Sequence, residues 1–215
     1  MSSLALLIEI EELVFDTLAL RAHALRSALL HEGVVISEDV IQREHAGATV
    51  CMTLDALPAA SGLDGVARDL VLRRAADEAR VALDHAAASF DRASRDAVLR
   101  LAVEYPVGVV TRGARDSAQR LLEQADLDSC IRTIQSLDDI PLADQHRVWS
   151  DAAARLHRPH VVAIGPPRML VGAQVAGQYT VAVGRGLAGG AGDEALVSLT
   201  QVDASFLASL PVFHE

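Results

Sequence analysis

Five short apolar runs, separated in the second half of the chain by stretches of helical spacing, limit the possible folds more than any other feature. They are LALLIEI from Leu4, VGVVT (Val107 to Thr111), CIRTIQSL from Cys130, HVVAIG (His160 to Gly165) and YTVAVG (Tyr179 to Gly184). Each is rich in aliphatic or β-branched residues and too short for a buried helix, so each reads as a strand covered on both faces. Residues 91–105, 114–124, 145–156 and 168–176 carry helical spacing between the later runs. Strand and helix alternating with short links predict an α/β fold, a Rossmann-like parallel sheet flanked by helices.

One segment breaks the alternation. From Thr17 to about Ser89 the chain offers only helical patterns: LALRAHALRSALLHEG closed by Gly33, SEDVIQREHAG opened by Ser37 as a cap, and a long Ala/Arg stretch from Asp64. The expected organisation is a core of residues 1–16 and 90–215 with a helical insertion over 17–89.

Hydrophobic residues make up 51% of the 215, enough for a sizeable core. The formal net charge of -10 supplies no excess of cations to displace counterions from phosphates, which argues against a nucleic-acid partner. No apolar run approaches the ~20 residues of a membrane span, and the opening residues lack the basic start and small-residue cleavage site of a signal peptide. The expected location is therefore the cytoplasm. Cys51 and Cys130 are isolated thiols that suit a reducing compartment better than a disulfide or a metal site. The sequence holds no lysine, which forbids any mechanism that needs a lysine ammonium.

In an open parallel sheet, ligands bind outside the carboxyl ends of the strands, near the point where strand order reverses. Those ends carry Glu9 and Glu11, then Thr111 and Arg112, then Gly165, Pro166 and Arg168. Glu9, Glu11 and Glu12 crowd three carboxylates onto the end of an apolar strand, a costly arrangement unless a cation answers them. A rival reading makes Glu11 and Glu12 solvated residues of a strand-end turn, against what their spacing favours.

These residues carry a resemblance. EIEELVFDT (Glu9 to Thr17) resembles the D-x-D-G-V-L-x-D-T opening of the haloacid dehalogenase superfamily, in its β-phosphoglucomutase-like phosphatase and mutase branch. HAGAT (His45 to Thr49) is similar to the cap's G-x-[ST] segment, and VGVVTRGARDSAQRLLEQADL to the second motif with its threonine at Thr111. VVAIGPPRMLVGAQVAGQYTVAVG is similar to the final motif and the helix after it, and DEALVSLTQVDASFLASL to the branch's closing segment. The resemblance implies a core with an inserted helical cap, a nucleophilic and an acid/base aspartate, a phosphate held by threonine and lysine, and an acidic fourth motif that completes a Mg²⁺ shell.

Carried onto this chain, Glu9 takes the nucleophile's place, Glu11 the acid/base's, Thr111 the threonine's and Pro166 that of the first acid of the fourth motif; the lysine falls near Ala143. Proline offers no side-chain oxygen to a metal that demands hard oxygen ligands. Without that ligand and the lysine, a transferring phosphoryl group loses two of its cationic stabilisers. The resulting expectation is a catalytically degenerate protein that binds no Mg²⁺, with one or both of Arg112 and Arg168 pairing with Glu9 or Glu11. It would act by binding a small anionic ligand, through Thr111, Arg112 and Arg168, or a protein partner. The alternative is an active hydrolase of the superfamily, a phosphatase, phosphomutase or metal-independent dehalogenase, with Glu9 as nucleophile.

Other features read structurally. Asp16 and Thr17 suit the cap of the first inserted helix, HRPH (His157 to His160) suits a loop entering a strand, and Trp149 suits core packing. His23 and His45 read as partly exposed helix or loop histidines, with a substrate contact as the rival. GRGLAG from Gly184 matches G-x-G-x-x-G but lacks the following helix that a dinucleotide site requires.

Overall fold

Aliphatic side chains leave no solvent-facing side on Leu4–Glu9, and this run forms β1 with all of its residues buried. The computed structural model describes residues 3–85, 89–138, 140, 142–184 and 192–211. Within them β1 is joined by β2 (Val107–Thr111), β3 (Ile131–Ser136), β4 (His160–Gly165), β5 (Tyr179–Val183) and β6 (Glu194–Leu196) in a parallel sheet of order β3-β2-β1-β4-β5-β6. The order reverses between β1 and β4, the place where an open α/β sheet presents a crevice at its carboxyl ends.

Chain division follows contacts. One compact unit comprises Met1–Phe15 with Phe90–Glu215, the other Asp16–Ser89. The second unit contains α1 (Leu18–His31), α2 (Glu38–His45), α3 (Val50–Ala56) and α4 (Gly65–His85). Its own core gathers Leu25, Leu29, Ile41, Leu54 and Val71. Gly33 follows α1 with φ of +75°, a left-handed conformation that a side chain would strain.

The first unit adds α5 (Arg92–Glu104), α6 (Arg115–Gln124), α7 (Val148–Leu156), α8 (Val171–Val175) and α9 (Ala204–Ala208) to the sheet. Leu7 of β1 packs in one cluster with Trp149, Ala152 and Leu156 of α7 and with Leu170. Trp149 is buried, and its ring Nε1–H donates to the Met169 carbonyl at 2.7 Å, so the indole's one donor is satisfied. Where the insert departs and returns, Phe15 and Phe90 form an antiparallel bridge, and their rings meet edge to face at 6.2 Å.

Two glycines let strands approach. A Cβ at Gly108 of β2 would stand 2.8 Å from Leu7 Cδ2 and from Thr133 Cγ2. A Cβ at Gly165, the last residue of β4, would stand 3.3 Å from the Cβ of Glu9. Glycine eases the close passage of β4 beside the end of β1, where a side chain would make Glu9 give by a few tenths of an ångström.

Several expectations need correction. Thr17 and Ser37 occupy the N-cap positions of α1 and α2, yet neither side chain makes a capping hydrogen bond. The helix expected from residue 145 begins at Val148, after a 3-10 turn over Leu142–Arg147, and the one expected from 168 begins at Val171 after a turn over Pro167–Met169. The G-x-G-x-x-G match begins at Gly184, and its remaining residues lie outside the described ones.

Candidate functional site

The carboxyl ends of β1 and β2 bring Glu9, Glu11, Glu12, Thr111 and Arg112 together. Glu9 ends β1, and the chain then turns: the N–H groups of Val14 and Phe15 both donate to the Ile10 carbonyl at 3.0 Å. This turn folds the Glu9 carboxylate back on its own backbone. Oε1 accepts the Glu11 N–H at 3.1 Å and Oε2 the Glu12 N–H at 3.2 Å. The group is fully buried, and it caps its own turn.

Arg112 answers the carboxylates. It follows the last residue of β2, its Nε lies 3.3 Å from Glu9 Oε1, and its Nη1 lies 2.8 Å from Glu12 Oε1. One guanidinium, itself buried, thus bridges two carboxylates, which a planar fork does better than an ammonium. Arg168 lies half-buried in the turn after β4, and Pro166 is buried just ahead of it.

Glu11 faces the other way, towards the loop after β2. Its Oε1 accepts a short hydrogen bond from the Thr111 hydroxyl and a second from the Gly113 N–H at 2.8 Å. The Gly113 carbonyl in turn accepts the Ser136 hydroxyl of β3 at 2.7 Å, which ties the loop to the third strand. The reading of Glu11 as a solvated turn residue is overturned, since neither Glu11 nor Thr111 reaches solvent.

Charge and burial compete here. Burial pushes the Glu9 carboxyl up from 4.5 to about 7; Arg112 pulls it back, and the neighbouring Glu11 and Glu12 raise it further. For Arg112 burial works against the charge, but Glu9, Glu12 and Glu11 together hold its pKa above the ordinary value. The guanidinium stays charged, and the carboxylate beside it takes up a proton close to neutrality.

The remaining candidates stand apart. Ala143, where the resemblance places the lysine, lies in the turn Leu142–Arg147. His23 is exposed, with Nδ1 3.4 Å from Glu38 Oε2. His45 departs from the expected partial exposure, because it is buried with Nδ1 2.8 Å from Thr53 Oγ1. That hydroxyl already donates to the Thr49 carbonyl at 2.8 Å, so the histidine proton sits on Nδ1. Among the described residues no group of three His, Cys, Asp or Glu side chains is arranged to hold a metal ion. No helix among them is long and apolar enough to cross a membrane.

Sequence reasoning missed Glu12 as the closest partner of Arg112, and it missed Gly113 and Ser136. Three carboxylates within four residues, opposite a single arginine at the next strand end, were the signal for Glu12. A backbone N–H such as that of Gly113 leaves no signal in sequence.

No protein-family model and no curated protein matches the chain. Solved structures do. A protein assigned as a haloacid dehalogenase-like hydrolase from Bacteroides fragilis aligns with a TM-score of 0.76 at 18% identity, covering 94% of this chain and 99% of that one. A haloacid dehalogenase-like family hydrolase from Streptococcus pneumoniae aligns at 0.73 and 16%, covering 96% and 100%. The β-phosphoglucomutase of Clostridium difficile aligns at 0.73 and 11%, covering 95% of each chain. A parallel sheet of this order, matched over nearly the full length of such neighbours, gives the chain the fold of the haloacid dehalogenase-like hydrolases.

Proposed function

We propose that this chain has lost metal-dependent phosphoryl transfer and acts by binding, its partner being a small anionic ligand or another protein. The observation that carries this reading is the closed state of the carboxylate cluster. Both oxygens of Glu9 accept N–H groups of its own turn, and the side chain is fully buried. A nucleophile must present an oxygen to its substrate within about 3–3.5 Å; each oxygen of Glu9 already holds an N–H, and the side chain has no exposed surface.

The donor set also suits Mg²⁺ poorly. The Arg112 guanidinium stands against Glu9 and Glu12 at 3.3 Å and 2.8 Å, so a divalent ion on the same oxygens would meet a fixed positive charge at contact distance. Pro166 brings no oxygen to the loop after β4. The residues present do not fit a Mg²⁺ ion.

Turnover of a panel of phosphate esters and 2-haloacids, measured with Mg²⁺ and with chelator, tests the reading with Glu9→Gln alongside. The expected result is no turnover above the Glu9→Gln background under either condition. Activity in the wild type that Glu9→Gln abolishes would overturn it. Native mass spectrometry of protein isolated from its source then separates a retained small anion from a protein partner.

A further inference from the structure

We infer that Glu11 is an internal ligand: its carboxylate fills an oxyanion cradle made by the Thr111 hydroxyl and the Gly113 N–H, and thereby shuts that cradle to small anions from solution. The inference rests on the closed site described above, says what closes it, and puts any small anionic ligand of the proposed function outside this cradle. Two donors, one at the end of β2 and one in the loop after it, converge on a single oxygen, Glu11 Oε1. A hydroxyl and a backbone N–H aimed at one point are what an oxyanion from solution would need.

The loop that carries the Gly113 N–H is itself held. The Ser136 hydroxyl donates to the carbonyl of the same residue at 2.7 Å, fixing the loop from the neighbouring strand. Reach matters too. Glu11 stands two residues beyond the end of β1 and hands its carboxylate across to the end of β2. An aspartate there would fall short by one methylene, on the order of 1 Å.

Charge selects the kind of anion that fits. Glu9 and Glu12 already face Arg112, so an incoming dianion would set two further negative charges beside acidic groups that the same guanidinium answers. A monoanion of carboxylate shape restores the native balance when Glu11 is cut back. Phosphate is therefore refused because its place is taken, and its dianion is disfavoured further by the neighbouring acidic groups.

The test uses the full chain with Glu11→Gly, acetate or formate against chloride at equal ionic strength and pH 7, and thermal unfolding as the readout. The variant's Tm should rise saturably, by about 5 °C at high acetate. Wild type should not respond, and Glu11→Gly combined with Thr111→Val should lose the response. Calorimetric titration of wild type with inorganic phosphate should show no saturable heat. If the variant is unfolded in chloride, recovery of its far-ultraviolet circular dichroism on adding acetate is the same support, and absence of recovery counts against the inference. A variant as indifferent to acetate as wild type, or phosphate uptake by wild type that Thr111→Val abolishes, would overturn it. An acetate-indifferent variant beside an inactive wild type removes this inference alone, whereas metal-dependent ester hydrolysis by wild type removes the proposed function as well.

Discussion

Glu9→Gln should change how folding stability depends on pH, and the sign follows from the site. The Glu9 carboxyl is raised from 4.5 to about 7 in the folded state, mainly by burial. Between those two values the folded chain holds a proton that the unfolded chain has released. The linked stability is therefore fully present below about pH 4.5 and is lost as pH rises through about 7. Between pH 5 and pH 8 the loss comes to roughly 2–3 kcal/mol, with little discount for solvent because the group is fully buried. With a urea m-value of about 2 kcal/mol/M, the wild-type midpoint should fall by about 1 M more than that of Glu9→Gln over this range. Every other titratable group is common to the two proteins, so the difference between the two curves isolates Glu9. Parallel curves would refute the reasoning. A wild type that gains on the variant towards pH 8 would refute it more sharply, since the pull of Arg112 would then outweigh burial.

Arg112→Met should destabilise the chain by about 3–5 kcal/mol at pH 8, where Glu9 and Glu12 would lose their shared cation, and by less at pH 5, where Glu9 is protonated; urea melts at the two pH values decide it. Trp149→Phe removes the donor to the Met169 carbonyl and should cost about 1–3 kcal/mol by the same assay. Gly108→Ala pushes a methyl to 2.8 Å from Leu7 and Thr133 side-chain atoms, with an expected loss of about 1–3 kcal/mol and a lower Tm in calorimetry. Thr111→Val leaves Glu11 with the Gly113 N–H as the surviving donor of the cradle pair, and hydrogen exchange at Gly113 should quicken relative to wild type.

The sheet was legible because its strands are buried on both faces, which leaves nearly unbroken aliphatic runs such as VGVVT and HVVAIG in the sequence. β6 was not, because Glu194–Leu196 is a three-residue edge strand with exposed residues and no pattern to read. The seven-residue helix over Val50–Ala56 was missed for a similar reason: VCMTLDA is too short to declare a face. At the site, the strand-end rule brought Glu9, Glu11, Thr111 and Arg112 onto one short list, and the structure draws these four together. Direction was beyond it. Sequence spacing cannot tell that Glu9 turns back on its own N–H groups while Glu11 reaches forward to another strand, because that choice is made by the turn at Ile10.

The clasp at Phe15 and Phe90 has a consequence for how the molecule could be taken apart. Asp16 donates its N–H to the Ser89 carbonyl at 3.1 Å, and Asp91 donates to Val14 at 2.8 Å, so the helical insert begins and ends at neighbouring points. Its ends are sewn together at the base, as in a hairpin, and its helices share an apolar interior of their own. Excising the insert and bridging Phe15 to Phe90 with a tight turn leaves the β1 to β2 connection intact. The same stitch permits a foreign module of matching end separation to be grafted there without asking the sheet to pay for a longer closure.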